Sequence, residues 1–125
     1  MSEERSLYER LGGHEGILKL IRPFYMDVRQ HALLGPIFNA QVQDWSAHLA
    51  NIADFWALQT GGKSRYRGGF ARAHMGLGLQ QEHFDHWLGL WELNNARELA
   101  PTEAAEMNHL ARQLAGRLFA VTRDR

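Results

Sequence analysis

Residues 80–122 read QQEHFDHWLGLWELNNARELAPTEAAEMNHLARQLAGRLFAVT, and this stretch decides the fold class. On both sides of Pro101, apolar residues recur with the period of an α-helix. The spacing predicts two helices, over about 80–98 and 102–122, packed antiparallel across the turn at Ala100–Pro101. Their apolar stripes consist of Phe84, Trp87, Leu88 and Trp91 in the first, and of Met107, Leu110, Ala111, Leu114, Leu118 and Val121 in the second.

Upstream, the chain also has helical spacing. A short first helix has the capping-box spacing of Ser6 and Glu9, and a second helix is predicted from about His14 to Gln30. Pro23 lies inside the second helix, where a missing N–H predicts a kink or a break near Arg22.

Between residues 34 and 79 the prediction alternates between turns and helices. Residues 34–38 are predicted as a turn, and a third helix spans about Asp44–Gln59, with Asp44 as its N-cap. A glycine-rich basic stretch over 61–69 precedes a short element over 70–75 that carries His74. Since no segment alternates with a period of two, we predict an all-α fold, formed by one domain over residues 1–125.

The composition of the chain argues against several classes of function. The chain has 14 basic and 14 acidic residues, so it lacks the positive charge typical of nucleic-acid-binding proteins. With no cysteine, it has no disulfide and no thiolate metal site. An acidic, polar start and the absence of a long apolar run argue against a signal peptide and a membrane span, so we expect a cytoplasmic protein.

Candidate functional residues are histidines and aromatics. The common hydrolase, metalloprotease and phosphate-binding motifs are missing. Tyr25, His48 and Trp87 fall on the apolar stripes of three helices, and His74 follows the glycine-rich loop. An apolar pocket with a few polar tips is the usual build of a cofactor site, although composition alone does not separate such a pocket from a packed core.

Several of these residues belong to motifs that occur in a fixed order. The chain resembles the truncated haemoglobins, most of all group III, over about residues 7–121. The resemblance is carried by Phe24-Tyr25-x-x-Val28, Leu34-Gly-Pro-Ile-Phe38-Asn39, Trp45-x-x-His48, Phe55-Trp56, Tyr66-x-Gly68, His74 and Trp87-Leu88.

This resemblance implies a two-over-two helical sandwich around a haem b. It implies His74 as the iron ligand of a five-coordinate site that binds O2, NO or CO, with Tyr25, His48 and Trp87 as distal hydrogen-bonding residues. We expect a backbone carbonyl to hold the other ring nitrogen of His74. Further haem contacts are expected from Phe38, Ile52, Phe55, Tyr66 and Arg72, the last two as propionate partners.

Up to three distal donors predict tight oxygen binding with slow release, which suits a sensor or an enzyme better than a carrier. Nitric oxide dioxygenase-like or peroxidase-like chemistry would need electrons from a separate reductase. Two alternatives stay open at this point. One is a non-haem iron enzyme in a helical bundle, using His48, His74 or the pair His83 and His86, with a single Glu106-x-x-His109 motif. The other is a helical interaction module without a cofactor.

Overall fold

The computed structural model describes residues 5–66, 68–74 and 77–123, without the side chains of residues 71, 72 and 121–123. Within these ranges the chain forms seven α-helices and no strand, as predicted. The helices are α1 (Leu7–Arg10), α2 (Gly13–Gln30), α3 (Leu34–Gln41), α4 (Trp45–Gln59), α5 (Phe70–His74), α6 (Gln81–Glu98) and α7 (Pro101–Arg123).

Two antiparallel helix pairs form the core. In the first pair, Trp91 of α6 donates to the carbonyl of Met107 in α7, at 3.2 Å. Phe84 near the start of α6 meets Phe119 near the end of α7, with ring centroids 5.3 Å apart, whereas Asn95 near the end of α6 donates to Asn108 in the first half of α7, which confirms the predicted antiparallel packing across residue 100.

The second pair is α2 with α4. His14 near the start of α2 meets Asp54 near the end of α4, whereas Tyr25 meets Trp45 at the opposite ends. Because α2 also packs against α6, the two pairs lie one over the other, and this confirms the two-over-two arrangement.

Two predicted helix starts are confirmed. The Ser6 hydroxyl accepts from the backbone of Glu9, and the Glu9 carboxylate accepts from the backbone of Ser6, which completes the capping box of α1. Asp44 caps α4 by accepting from the backbone N–H of Ala47 at 3.1 Å. These caps satisfy N–H groups that a helix cannot satisfy internally.

The predicted turn at residues 34–38 is wrong, because this stretch begins the helix α3. Pro36 suggests a turn when the sequence is considered alone, yet it stands in the first turn of α3, where its missing N–H costs no helical hydrogen bond. The ring of His31 caps the start of the helix, because its Nδ1 accepts hydrogen bonds from the backbone N–H groups of Leu33 and Leu34.

Of the kink or break predicted near Arg22, the break is wrong, because α2 continues through Pro23 to Gln30. The carbonyl that Pro23 leaves without a helical partner belongs to Lys19, which is an exposed residue. Phe24, which follows the proline directly, is fully buried, and its packing holds the helix together.

The short N-terminal helix is tied to the last one. The Arg10 guanidinium donates to the carboxylates of Glu103 and Glu106, with shortest distances of 2.7 Å to each. Within the described residues, no helix is both long enough and apolar enough to cross a membrane.

Candidate functional site

A cavity of about 240 Å³ lies between the two helix pairs. Protein interiors contain few spaces larger than a water molecule, so a space of this size is a built site and not a packing defect. Its lining is mostly apolar and comes from every helix except α1. This arrangement disfavours the interpretation as a packed interaction module.

His74 lies at the end of α5 and lines the cavity. Its Nδ1 is 2.6 Å from the carbonyl oxygen of Phe70, one helical turn earlier. Since a carbonyl can only accept, Nδ1 must carry the proton, and the lone pair of the ring is on Nε2. A backbone carbonyl therefore holds this ring, as the sequence led us to expect.

Three histidines line the cavity, namely His48, His74 and His83, and their hydrogen bonds separate their chemistry. Nδ1 of His83 accepts from the backbone N–H of Gln80 at 2.7 Å, so the proton of the neutral ring is on Nε2. A protonated nitrogen has no lone pair for a metal. Of His74 and His83, only His74 is held in the tautomer that leaves Nε2 able to bind one.

Burial lowers the pKa of His74 below its ordinary value, against the opposite effect of the hydrogen bond to Phe70. Burial, followed by the charge of His74, also lowers the pKa of His48. Both rings are therefore favoured in the neutral form, which is the form that binds iron through nitrogen.

Tyr25 and Trp87 both line the cavity, and Trp87 lowers the pKa of Tyr25 as a hydrogen-bond donor would. An indole N–H only donates, so Trp87 can act on the hydroxyl oxygen of Tyr25 only as a donor, and Tyr25 keeps its own proton to donate onward. Burial raises the pKa of Tyr25 well above its ordinary range, against the opposite effect of Trp87, so the phenol stays protonated. The two side chains thus act in series, with Tyr25 as the final donor.

His48 completes the polar part of the lining. Its ring packs edge-on against Tyr25, with centroids 6.4 Å apart, and against Trp45, with centroids 5.3 Å apart. Trp45 is not among the residues that line the cavity, and Arg29 covers its ring at 4.5 Å. Trp45 therefore packs behind His48.

The remaining predicted contacts provide flat apolar walls. Phe55 stacks on Phe70 with centroids 4.7 Å apart and planes within 12° of parallel. Tyr66 meets the edge of Phe55, and both line the cavity together with Phe38 and Ile52. These side chains offer aromatic and aliphatic surface to an apolar ligand in the cavity.

Arg72 is the predicted basic partner of the haem propionates, and the stretch over 61–69 before it carries further basic residues. Lys63 and Arg65 are exposed on the loop before Tyr66. The side chain of Arg72 and the whole of Arg67 lie outside the described residues.

The sequence interpretation missed Phe70, whose carbonyl orients His74 and whose ring forms part of a wall. Its position one helical turn before the histidine was the available signal, because carbonyls four residues back lie within reach of a helical side chain.

The non-haem iron alternative does not fit this geometry. In the described part of the chain, no three histidine, aspartate or glutamate side chains come together as a metal site. Glu106, the carboxylate of the single Glu-x-x-His motif, is engaged by Arg10 through both oxygens.

Comparison with known proteins identifies the family. The model of the bacterial-like globin family matches residues 6–118. A group 3 truncated hemoglobin of Campylobacter jejuni is 40% identical over 83 residues, which are 62% of this chain and 65% of that protein. A group 1 truncated hemoglobin of Tetrahymena pyriformis is 29% identical over 68% of this chain and 69% of its own length.

Solved structures agree with this result. The crystal structure of the group III truncated hemoglobin from Campylobacter jejuni superposes with a TM-score of 0.83 at 30% identity, covering 98% of this chain and 95% of that one. The group II truncated hemoglobin from Bacillus anthracis shares the fold, with a TM-score of 0.81 at 18% identity over 94% and 92% of the two chains. The chain therefore belongs to the bacterial-like globin family, as a truncated haemoglobin that resembles the group III branch.

Proposed function

We propose that this chain holds a haem b in the cavity through Nε2 of His74 and binds a diatomic ligand, O2, NO or CO. The single observation that supports the assignment of His74 is the hydrogen bond from Nδ1 to the Phe70 carbonyl. This bond fixes the ring and its tautomer, as second-shell partners of metal-binding histidines commonly do. Haem iron with one histidine ligand supplies an open position for a gas.

The residues of the cavity fit such a group. Phe38, Ile52 and Phe55 offer apolar contact to a macrocycle. Burying a large planar apolar surface contributes roughly 25 cal/mol for each Å² removed from water, so this contact supplies much of the affinity. The proposed partners of the haem carboxylates are Arg72 and Tyr66, which lines the cavity from the basic stretch over 61–69.

The polar residues act on the ligand. A protonated Tyr25 donates to a ligand that gains negative charge, and Trp87 strengthens this donor because hydrogen bonds in series polarise one another. His48, kept neutral by burial, is the third proposed distal residue. Together they favour slow release of oxygen.

Slow release suits redox chemistry better than transport. We therefore propose nitric oxide dioxygenase-like or peroxidase-like activity, supplied with electrons by a separate reductase in the cytoplasm. Turnover of nitric oxide by the oxygenated protein in the presence of a reductant tests this part. Simple gas exchange without turnover would contradict it.

Titration of the purified chain with haemin tests the cofactor assignment. We expect a stoichiometric Soret band, and a reduced protein that binds CO and O2 reversibly. His74→Ala should abolish stable haem retention, while His83→Ala, which removes the other ring on this part of the lining, should retain it. A wild-type chain that takes up no haemin would overturn the proposal.

A further inference from the structure

Away from the haem cavity, three titratable side chains form a hydrogen-bonded series. The Tyr8 hydroxyl lies 2.5 Å from Nδ1 of His14, and Nε2 of His14 lies 3.1 Å from Oδ1 of Asp54. They come from α1, α2 and α4, and Tyr8 is half-buried. A carboxylate accepts the Nε2 proton, so Nδ1 is left as the acceptor for the phenol.

This series has the same order of groups as a catalytic triad, in which a carboxylate orients an imidazole and the imidazole accepts a proton from the nucleophile. Here a phenol takes the position of the nucleophile. Asp54 fixes the tautomer of His14 and stabilises the imidazolium that forms when the ring takes a proton. A phenol that loses an electron becomes a strong acid, so its oxidation is easiest where a base already accepts its proton. His14, with 40% of its side chain exposed, can pass that proton to solvent.

A second feature connects the cavity to this series. The indole rings of Trp87, Trp91 and Trp56 form a continuous stack, with centroid separations of 5.5 and 4.8 Å and planes within 8° and 14° of parallel. Trp87 and Trp56 line the cavity, and Trp91 between them is fully buried. Overlapping π-systems at this spacing let an electron vacancy move from ring to ring.

The stack reaches Tyr8 through one residue. The Thr60 hydroxyl donates to the carbonyl of Trp56 at 2.7 Å, and the backbone N–H of Tyr8 donates to the carbonyl of Thr60 at 2.9 Å. Thr60 is itself buried. A path of stacked rings and short hydrogen bonds therefore leads from the cavity to the phenol.

We propose that Tyr8 is a redox site that supplies single electrons to the cavity. A one-electron oxidant gains an electron through Trp87, Trp91 and Trp56. Tyr8 loses that electron together with its phenolic proton, which moves to Nδ1 of His14, and becomes a neutral tyrosyl radical. An external one-electron reductant and the return of the proton restore it.

The physiological oxidant is haem that has reacted with peroxide, so this part rests on the proposed function. The role of the Tyr8–His14–Asp54 series does not depend on the proposed function, because any strong outer-sphere oxidant can oxidise a half-buried phenol. Within the described residues, neither Tyr25 nor Tyr66 has an imidazole hydrogen-bonded to its hydroxyl. Among these three tyrosines, Tyr8 is therefore the one whose proton has a base to accept it.

The first experiment uses photogenerated tris(bipyridine)ruthenium(III) as the oxidant, with detection by transient absorption and electron paramagnetic resonance. We expect a tyrosyl radical in the wild type and in Trp45→Phe, and its loss in Tyr8→Phe. His14→Phe should slow radical formation by about tenfold or more, because the base no longer accepts the proton. Equal radical yields in Tyr8→Phe, or an unchanged rate in His14→Phe, would overturn the assignment.

The second experiment treats the haem-loaded protein with one equivalent of hydrogen peroxide. Trp56→Phe, which interrupts the stack, should lower the Tyr8 radical yield here but leave the ruthenium experiment unchanged. Trp45→Phe, outside the stack, should change neither. An undiminished yield in Trp56→Phe excludes the relay. A chain that takes up no haem overturns the proposed function and the relay, while the ruthenium experiment still decides the role of Tyr8.

Discussion

The two ring nitrogens of His74 differ in protonation, and a backbone carbonyl determines which of them carries the proton. The Phe70 carbonyl takes the Nδ1 proton, which leaves Nε2 for a metal. In His83 the roles are reversed, because a backbone N–H of Gln80 points at Nδ1. Two histidines that line one cavity are therefore different ligands, for reasons that a residue type or a sequence motif does not reveal.

At the same scale, Tyr25→Phe tests the distal donor. A hydrogen bond to a charged acceptor is worth about 1.5–3 kcal/mol, so its loss should speed oxygen dissociation by about 10- to 100-fold. Stopped-flow displacement of oxygen by carbon monoxide measures this rate. Tyr66→Phe removes a hydroxyl from the same cavity and should leave the rate unchanged. An unaltered rate in Tyr25→Phe would remove the hydroxyl from the distal site.

At the scale of single elements, periodicity and capping predicted most helices. The Asp44 cap, the buried stripe of α2 and the pairing of α6 with α7 all follow from residues that can be identified in the sequence. The two errors both concern proline. Pro36 and Pro23 disfavour a helix locally, but the first lies where a helix tolerates it, and the second lies in a helix held by tertiary packing.

The helix α3 packs closely against α2 because Gly35 has no side chain. A Cβ there would lie 2.5 Å from the carbonyl oxygen of Arg29, so Gly35→Ala must shift backbone. We expect destabilisation by about 1–3 kcal/mol, the usual cost of overpacking. Chemical denaturation of the apo and haem-loaded forms measures it.

Gly89 provides the matched control in α6, because a Cβ there would meet no atom within 4 Å. Gly89→Ala should therefore stabilise the protein by about 0.5–1 kcal/mol, since alanine loses less backbone entropy in a helix. If both substitutions changed stability in the same direction, the packing explanation for Gly35 would fail.

At the scale of the whole molecule, the sequence predicted the all-α class, the buried stripes and the residues around the cavity. It could not predict which polar groups meet each other. The effect of Trp87 on Tyr25, and the series formed by Tyr8, His14 and Asp54, involve side chains from separate helices. Such contacts depend on helix rotation and on rotamers, which periodicity does not fix.

One long-range contact predicts an acid response of the whole fold. Hydrogen bonds from Arg10 lower the pKa of Glu106 below its ordinary value, so the folded state favours the ionised carboxylate. The resulting stabilisation is complete above the ordinary pKa of glutamate and is lost as the pH falls through the lowered value. Unfolding measured across the acidic range should show this loss.

Glu106→Gln should flatten that acid dependence, because it removes the titrating group. Glu82→Gln is the control, since Glu82 forms no ion pair among the described residues. A wild-type acid profile unchanged by Glu106→Gln would show that the contact between α1 and α7 does not contribute to it.

The central claim is that Nε2 of His74 holds the haem iron. Resonance Raman spectroscopy of the ferrous protein tests it most directly, in the wild type, in His74→Gly and in His74→Gly with added imidazole. We predict an iron–histidine stretching band in the wild type, its loss in the variant and its return with imidazole. A band that persists in His74→Gly, or that disappears in His83→Ala, would contradict the account.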